Sequence, residues 1–174
     1  MIKKATNEDI DEIITIYDKM LTLEEAGKLR TGWLRGVYPT RSTATDALVR
    51  GDLFICRQKD KLAATAIINH RQMESYSMGN WKVRASGNEI MVLHTLAVDP
   101  DCFGMGIGSY FVDFYEQYAQ KFACKDLRID TQVKNQTARK FYLNLGYFEI
   151  GTVSCEFNGI KRVDLVLLEK PLLK

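Results

Sequence analysis

Residues 98–109 read Val-Asp-Pro-Asp-Cys-Phe-Gly-Met-Gly-Ile-Gly-Ser, and they join an apolar segment to an amphipathic one. The apolar segment, Glu89–Val98, predicts a buried strand that the following Asp-Pro pair closes. The amphipathic segment predicts a helix from about Gly106, with Ile107, Phe111, Phe114, Tyr118 and Phe122 on one face. Glycines in such a turn let the backbone approach a ligand, and the first N–H groups of a helix attract anions. The turn is a candidate pyrophosphate site, with a turn that needs glycine for packing alone as the alternative.

Two common nucleotide-binding motifs do not fit this turn. A dinucleotide fingerprint that starts at Gly104 and Gly106 requires a third glycine where the chain has Ser109. A P-loop requires a lysine before the Ser or Thr, and here Gly108 occupies that position. The turn therefore predicts neither a dinucleotide-binding site nor a P-loop.

A second motif lies at residues 135–147, which read Asn-Gln-Thr-Ala-Arg-Lys-Phe-Tyr-Leu-Asn-Leu-Gly-Tyr. The apolar spacing predicts a helix over 135–145, and Gly146 is placed to end it. Asn135 and Tyr142 are seven residues apart, about two helical turns, so both project from one face.

These two segments resemble the motifs of the GNAT superfamily of N-acetyltransferases. The first family motif is Val-x-Pro-x-x-[Arg/Gln]-Gly-x-Gly-x-[Gly/Ala], and only Phe103, at the Arg/Gln position, departs from it; Val98, Pro100, Gly104, Gly106 and Gly108 match. The second segment is very similar to Asn-x-x-Ala-x-x-Phe-Tyr-x-x-x-Gly-Phe. The motifs stand in the family order with a predicted strand between them, and the resemblance covers most of the chain.

The resemblance implies acetyl-CoA as cosubstrate and requires no metal. Family members hold the pyrophosphate mainly on backbone N–H groups of the turn. The departure at Phe103 therefore puts in doubt a side-chain contact to the pyrophosphate, but not its binding by the backbone. They also splay the preceding strand from the next one at a bulge, which leaves backbone groups to face the pantetheine arm. The residues expected to bind the coenzyme are Leu96, Ala97, Val98, Phe103, Gly104, Met105, Gly106, Ile107, Gly108, Ser109, Asn135, Ala138 and Tyr142.

Three side chains are candidates for acid–base catalysis. The resemblance gives Tyr142 the role of general acid toward the leaving thiolate, and a core aromatic is the alternative. The segment from His94 to Val98 resembles the corresponding strand of the arylalkylamine N-acetyltransferases, where the histidine helps to remove the amine proton. A hydrogen-bonded core histidine is the alternative for His94. Glu89 is the rival base, because many family members place a glutamate on this strand, and a chain of waters would blur the distinction.

The expected reaction is direct attack of a primary amine on acetyl-CoA in a ternary complex, with a small-molecule acceptor. Five aromatic residues are predicted to wall an apolar acceptor pocket, unless they are core residues: Tyr17, Trp33, Tyr38, Tyr76 and Trp81. Three carboxylates are predicted to attract a cation: Glu24, Glu25 and Glu74. The alternatives are a non-catalytic acyl-CoA-binding regulatory module and a protein- or peptide-directed acetyltransferase.

The whole chain, residues 1–174, is predicted to form a single α/β (α+β) domain of the GNAT acyl-CoA N-acyltransferase fold. The predicted order is β-α-α-β-β-β-α-β-α-β-β, a mixed and mostly antiparallel sheet flanked by helices. Thr6 and Asp9 predict a capping box before a helix to about residue 21. Further helical stretches are predicted at 23–34 and 43–49, and Asn158-Gly159 predicts a terminal hairpin.

Composition limits the other classes of function. A net charge of +2 from 24 basic and 22 acidic residues provides no field for nucleic-acid binding. Four separated cysteines and two isolated histidines give no metal site. The absence of an 18-residue apolar run or an apolar leader predicts a cytoplasmic protein away from membranes. The sequence leaves oligomeric state open, although dimers are common among members of the resembled family.

Overall fold

The structure, a computed structural model that describes residues 1–172, consists of seven strands and four α-helices in that range. The strands are β1 (Ile2–Lys4), β2 (Leu53–Gln58), β3 (Lys61–Asn69), β4 (Ile90–Val98), β5 (Asp126–Gln132), β6 (Phe148–Phe157) and β7 (Ile160–Pro171). The helices are α1 (Ile10–Glu25), α2 (Arg41–Arg50), α3 (Ile107–Lys121) and α4 (Gln136–Asn144).

All seven strands belong to one sheet, in the order β1-β2-β3-β4-β5-β7-β6. Neighbouring strands are antiparallel except β4 and β5, which are parallel. The predicted fold class, a mostly antiparallel mixed sheet flanked by helices, is confirmed.

The two faces of the sheet bury different groups of residues. On one face, which we call the α3/α4 face, residues of α3 and α4 pack on alternate residues of the strands, such as Phe54 and Leu127. On the opposite face, α1 and α2 cover β2 and β3, where Leu53 and Ile55 are buried. The segment 70–89 lies over β5 and β7 on this second face, where Tyr76 packs against Leu165 and its neighbours. Successive side chains of a strand point to opposite faces of the sheet, so the strands contribute residues to the cores on both faces.

The N-terminal helix ends earlier than the sequence predicts. The predicted helix over 23–34 is wrong, because α1 ends at Glu25 and Gly27 takes a φ of 69°. The side chain of Glu24 then holds the following loop, since its carboxylate accepts the N–H groups of Thr31 at 2.6 Å and Gly32 at 3.0 Å. A carboxylate that pairs with loop amides replaces the helical hydrogen bonds that the periodicity suggested.

The remaining predicted elements agree with the structure within a few residues. The capping box of Thr6 and Asp9 is present, although it opens a short 3-10 turn ahead of α1. The apolar face predicted for α3 is confirmed at Ile107 and Phe111, which are buried. It is wrong at Phe122, which follows the helix and is exposed. The predicted C-terminal hairpin is confirmed as β6 and β7.

Candidate active site

The strands β4 and β5 separate halfway along their length. Their pairing runs from Ile90 opposite Asp126 to Leu93 opposite Ile129 and goes no further. A cavity of about 90 Å³, here the smaller cavity, lies where they part. Residues of both faces of the sheet line it, because the opening between the two strands connects the faces.

A bulge on the other side of β4 accompanies this separation. Thr65 pairs with Ala97 and Ile67 pairs with His94, so Thr95 and Leu96 lie opposite Ala66 alone. Thr95 takes a φ of 51°, which is uncommon for a β-branched residue. A bulge bends its strand and frees ladder groups, and it matches the bulge that the resemblance implied.

The glycine-rich turn ends with a helix N-terminus that faces open space. Gly104 and Gly106 have φ values of 77° and 76°, and a Cβ on either would meet no protein atom within 4 Å. The first backbone bond of α3 is donated by Tyr110 N–H to the carbonyl of Gly106, at 3.0 Å. The N–H groups of residues 107–109 precede that bond and have no partner inside the helix. The turn therefore offers several donors at the positive end of a helix dipole.

The glycine at position 108 has a different role. A Cβ there would lie 3.3 Å from Cζ of Phe141 on α4, so Gly108 allows α3 and α4 to pack closely. The side chains of Phe103 and Met105 are exposed beside the turn.

An ion-pair cluster attaches the turn to α1. Nζ of Lys19 lies 2.9 Å from Oδ1 of Asp99 and 2.6 Å from Oδ2 of Asp101. Asp99 Oδ1 also accepts the N–H of Asp101 at 3.0 Å. These contacts fix the start of the turn against the N-terminal helix.

Helix α4 brings Tyr142 to the smaller cavity. Asn135 caps the helix, because its Oδ1 accepts the N–H of Ala138 at 3.1 Å, and all three residues line the cavity. Tyr142 is buried, and burial, with a smaller contribution from the charge of Asp130, holds its pKa well above the usual tyrosine value. The Tyr142 hydroxyl is therefore protonated at neutral pH and can donate a proton.

His94 lines the same cavity from β4. Its Nε2 lies 3.0 Å from the carbonyl of Arg71 and 3.2 Å from Oδ1 of Asn69, and both atoms are acceptors. Nε2 thus carries the hydrogen, and Nδ1 is left as the acceptor nitrogen. Nδ2 of Asn69 donates to Asp52 at 2.9 Å, which holds that amide in place. Burial lowers the pKa of His94 to about 4, so the ring is neutral at neutral pH.

The structure places Glu89 at the far end of β4. It ends a 3-10 turn, forms an ion pair with Lys125 and accepts the N–H of Ser86 at 3.2 Å. The hydrogen bond from Lys125 holds the pKa of Glu89 below the usual value. Glu89 lines neither of the two cavities, so the structure does not bring it to Tyr142.

A larger cavity of about 510 Å³ adjoins the smaller one on the α1/α2 side. The two cavities share Tyr38, His94 and Thr95. Most residues that line the larger cavity are polar, and its charged residues are Asp46, Arg50, Arg71 and Glu74. Two of the shared residues, His94 and Thr95, lie on β4 at the opening between β4 and β5.

Only some of the aromatic residues predicted to line an acceptor pocket line the two cavities. Of the five predicted aromatics, Trp33 and Tyr38 line the smaller cavity, together with Phe157, which the sequence did not predict. The three rings form an edge-to-face chain, with centroids 6.2 Å apart between Trp33 and Tyr38 and 5.6 Å apart between Tyr38 and Phe157. The hydroxyl of Tyr38 contacts that of Thr95.

The prediction is wrong for the other three aromatics, Tyr17, Tyr76 and Trp81, which are packed in the cores of the protein. Arg128 lies 3.9 Å above the ring of Trp81. Of the predicted carboxylates, Glu74 alone lines a cavity, since Glu24 holds a loop and Glu25 pairs with Arg35.

The sequence reasoning missed Asp130. It lies on β5, lines the smaller cavity, and accepts the hydroxyl of Tyr76 on Oδ2 at 2.7 Å. Burial raises the pKa of this carboxyl to about 6, although the hydrogen bond from Tyr76 opposes the shift. In sequence, β5 alternates apolar Leu127 and Ile129 with polar residues, a pattern typical of a strand with one solvated face. Only the packing of segment 70–89 reveals that this polar face is covered.

The sequence pattern of the Acetyltransferase (GNAT) family matches residues 19–147. The chain belongs to this family. Members use acetyl-CoA as cosubstrate. The GNAT chain is 24% identical over 166 residues, 93% of its length, to an uncharacterized N-acetyltransferase of Methanocaldococcus jannaschii. It spans 66% of that relative's length.

Solved structures of other acetyltransferases have the same fold. An acetyltransferase of the GNAT family from Streptococcus agalactiae superimposes with a TM-score of 0.81 at 22% identity, over 100% of this chain and 96% of that one. The ribosomal-protein-S18-alanine N-acetyltransferase of Escherichia coli does so with a TM-score of 0.64 at 18% identity, over 98% and 92%.

The residues present in the GNAT chain fit the cosubstrate of its family. The open space beside Gly104 and Gly106 lets a pyrophosphate approach the helix N-terminus. Asn135 lines the smaller cavity with Leu96, and its amide nitrogen takes no part in the capping bond. Within residues 1–172, no group of three or more His, Cys, Asp or Glu is arranged to hold a metal ion. No helix in the same range is long and apolar enough to cross a membrane.

Proposed function

We propose that the protein transfers the acetyl group of acetyl-CoA to the primary amine of a small molecule, by direct attack in a ternary complex. The observation that carries this proposal is the meeting of two cavities at the opening between β4 and β5. The smaller cavity adjoins α4 and its capping residue, and the larger cavity opens on the α1/α2 side. Two substrates that enter from opposite faces of the sheet would meet beside Thr95.

The coenzyme would be held by the glycine-rich turn and by α4. The N–H groups of residues 107–109, which have no partner inside the helix, would face the pyrophosphate. The backbone of residues 96–98 lies beyond the last β4–β5 pair, and its β5 side would face the pantetheine arm. Acetyl-CoA supplies a thioester whose carbonyl carbon accepts the amine. No metal takes part in this proposal.

Tyr142 acts as the general acid. The leaving thiolate belongs to a thiol with a pKa of about 8.5, below the usual tyrosine value of about 10. Burial raises the pKa of Tyr142 further, so its hydroxyl stays protonated until the carbon–sulfur bond breaks. The proton then moves from the Tyr142 oxygen to sulfur, and the phenolate regains one from the attacking nitrogen.

The covered cleft supports a small acceptor. Trp33, Tyr38 and Phe157 close one side of the smaller cavity. The tip of the β6–β7 hairpin touches the loop before α2, since a Cβ on Gly159 would lie 3.2 Å from Cγ1 of Val37. An extended peptide needs an open groove, whereas this arrangement leaves a bounded space for a small amine.

Two alternative functions are a regulatory module that only binds acyl-CoA and a peptide-directed acetyltransferase. A regulatory module that only binds acyl-CoA needs no acid in the cavity, whereas Tyr142 lies there. A peptide-directed activity is compatible with the fold, which is shared with an enzyme named for a ribosomal protein. The acceptor class therefore rests on the shape of the cleft.

The test is an acceptor panel with detection of released coenzyme A thiol. The panel contains polyamines, arylalkylamines, aminoglycosides, amino acids, lysine peptides and peptides with a free N-terminus, and calorimetry measures acetyl-CoA binding in parallel. We expect binding of acetyl-CoA and turnover of at least one small amine. Turnover of peptides with all small amines inert would contradict the small-molecule acceptor. Binding without any turnover would favour the regulatory module.

A further inference from the structure

Asp130 is a carboxylate in the smaller cavity without a cationic partner. No lysine or arginine is among the described residues that line this cavity. The carboxylate instead accepts one hydrogen bond, from the hydroxyl of Tyr76 to Oδ2 at 2.7 Å. Burial of an ionised carboxylate is unfavourable unless a cation or several donors compensate for the lost water. The arrangement is therefore incomplete without a positively charged ligand.

The position of this carboxylate is fixed by its surroundings. Tyr76 is buried, and its backbone carbonyl accepts Nε1–H of Trp81 at 2.7 Å. The ring of Trp81 packs on that of Tyr76 with centroids 5.2 Å apart. With Oδ2 held by Tyr76, Oδ1 of Asp130 remains for a ligand in the cavity. Tyr142 and His94 line the same space.

We propose that Asp130 binds the ammonium group of the acceptor and takes its proton. This inference rests on the proposed function and names the base of the same site. An N–H bond of the ammonium breaks and an O–H bond forms at Oδ1, which leaves a neutral amine to attack the thioester carbon. Of the three ammonium protons, one stays on the amide, one replaces the proton that Tyr142 gives to sulfur, and one leaves from Asp130 to solvent.

The other titratable groups that face Asp130 keep their charge state near neutral pH. Burial holds the pKa values of Tyr38, Tyr76 and Tyr142 above the usual tyrosine range, and it raises the pKa of Cys155 on β6. Burial lowers the pKa of His94 to about 4. A titration near pH 6 in this cavity therefore belongs to Asp130.

The experiment compares Asp130→Asn with the wild type from about pH 3 to about pH 9, a range that includes the pKa values of both Asp130 and His94, using the best amine of the panel. Asparagine keeps the shape and the acceptor for Tyr76 but cannot take a proton. We expect kcat/KM to fall by roughly 10²–10⁴, the usual range for a general base, and the wild-type acidic limb near pH 6 to disappear. Acetyl-CoA affinity should be unchanged. Asp113→Asn, on the exposed face of α3, is the matched control.

A second readout separates proton removal from structural damage. An acceptor whose own amine pKa is below 7 is already neutral and needs no base, so the defect of Asp130→Asn should shrink for that acceptor. An equal loss with both amines would contradict the proposal, as would an intact limb near pH 6. A limb near pH 4 that His94→Gln removes would assign the proton to the histidine. Acetyl-CoA binding without wild-type turnover of any amine would instead overturn the proposed function, and this role with it.

Discussion

At the scale of single residues, the hydroxyl of Tyr142 can be removed without disturbing its ring. Tyr142→Phe keeps the edge-to-face contact with Tyr147, at 5.8 Å between centroids, and the packing of α4 on the sheet. We expect kcat to fall by roughly 10²–10⁴ because the thiolate loses its proton donor. Calorimetry should give an unchanged acetyl-CoA affinity. Turnover within about twofold of the wild type would mean that Tyr142 is a packing residue only.

Asp130 also makes stability depend on pH, with a sign that follows from its raised pKa. Burial moves the pKa of this carboxyl from 3.8 to about 6, so the folded state binds the proton more tightly than the unfolded state. Protonated Asp130 therefore contributes to the stability of the folded state below pH 4, and this contribution to the free energy of unfolding is lost as the pH rises through about 6. An asparagine side chain at this position does not ionise, so it causes no such loss of stability as the pH rises.

Asp130→Asn is therefore expected to be more stable than the wild type at pH 8, by about 1–3 kcal/mol, and equal to it at pH 4. Urea unfolding at the two pH values measures this difference. An identical difference at both pH values would show that it comes from packing and not from the charge. The pair of results, higher stability with lower activity, is typical of a group retained for catalysis.

At the scale of elements, the turn between β4 and α3 depends on the backbone of Gly106. Its φ of 76° is strained for a β-branched residue, and its missing Cβ leaves the approach to the helix N-terminus open. We expect Gly106→Val to abolish acetyl-CoA binding in calorimetry. Gly27→Val is the control, because Gly27 has a φ of 69° and equally open surroundings after α1. Similar loss of binding in both variants would point to general misfolding.

Elements whose signals are local could be predicted from the sequence. The turn at Asn158 and Gly159 takes φ values of 48° and 83°, as the predicted hairpin requires, and Gly146 ends α4 with a φ of 86°. The end of α1 could not be predicted, because it depends on a carboxylate of Glu24 that reaches residues seven and eight positions later. Helical spacing alone does not contain that contact.

At the scale of the whole molecule, the site combines distant parts of the chain. The residues proposed to hold the coenzyme could be named from the sequence, because they lie within two short motifs and the strand before the first. The residues proposed for the acceptor side could not all be named in this way, because Tyr38, Asp130 and Phe157 meet only when three separate segments pack around the opening between β4 and β5. Their residue types are ordinary for a loop, a polar strand face and a hairpin. Only tertiary packing brings them to one cavity.

One of the contacts that close the cleft joins the β6–β7 hairpin to the loop before α2. The ring of Phe157, at the tip of β6, packs edge-to-face on Tyr38 with centroids 5.6 Å apart, and both rings line the smaller cavity. Phe157→Ala removes this wall without touching the turn or α4. An amine in the wider space is held less precisely against the thioester, and small displacements of reacting groups slow the reaction strongly.

We therefore expect kcat/KM of Phe157→Ala for the best small amine to fall by about tenfold or more, equivalent to about 1.4 kcal/mol of transition-state binding. Bulkier amines should lose less, so the preference for small acceptors should weaken. Acetyl-CoA affinity should not change. Glu156→Ala is the control, since Glu156 precedes Phe157 on the same strand and its side chain is exposed. Equal losses for small and bulky amines in Phe157→Ala would show that the ring supports the fold of the hairpin and does not select the acceptor.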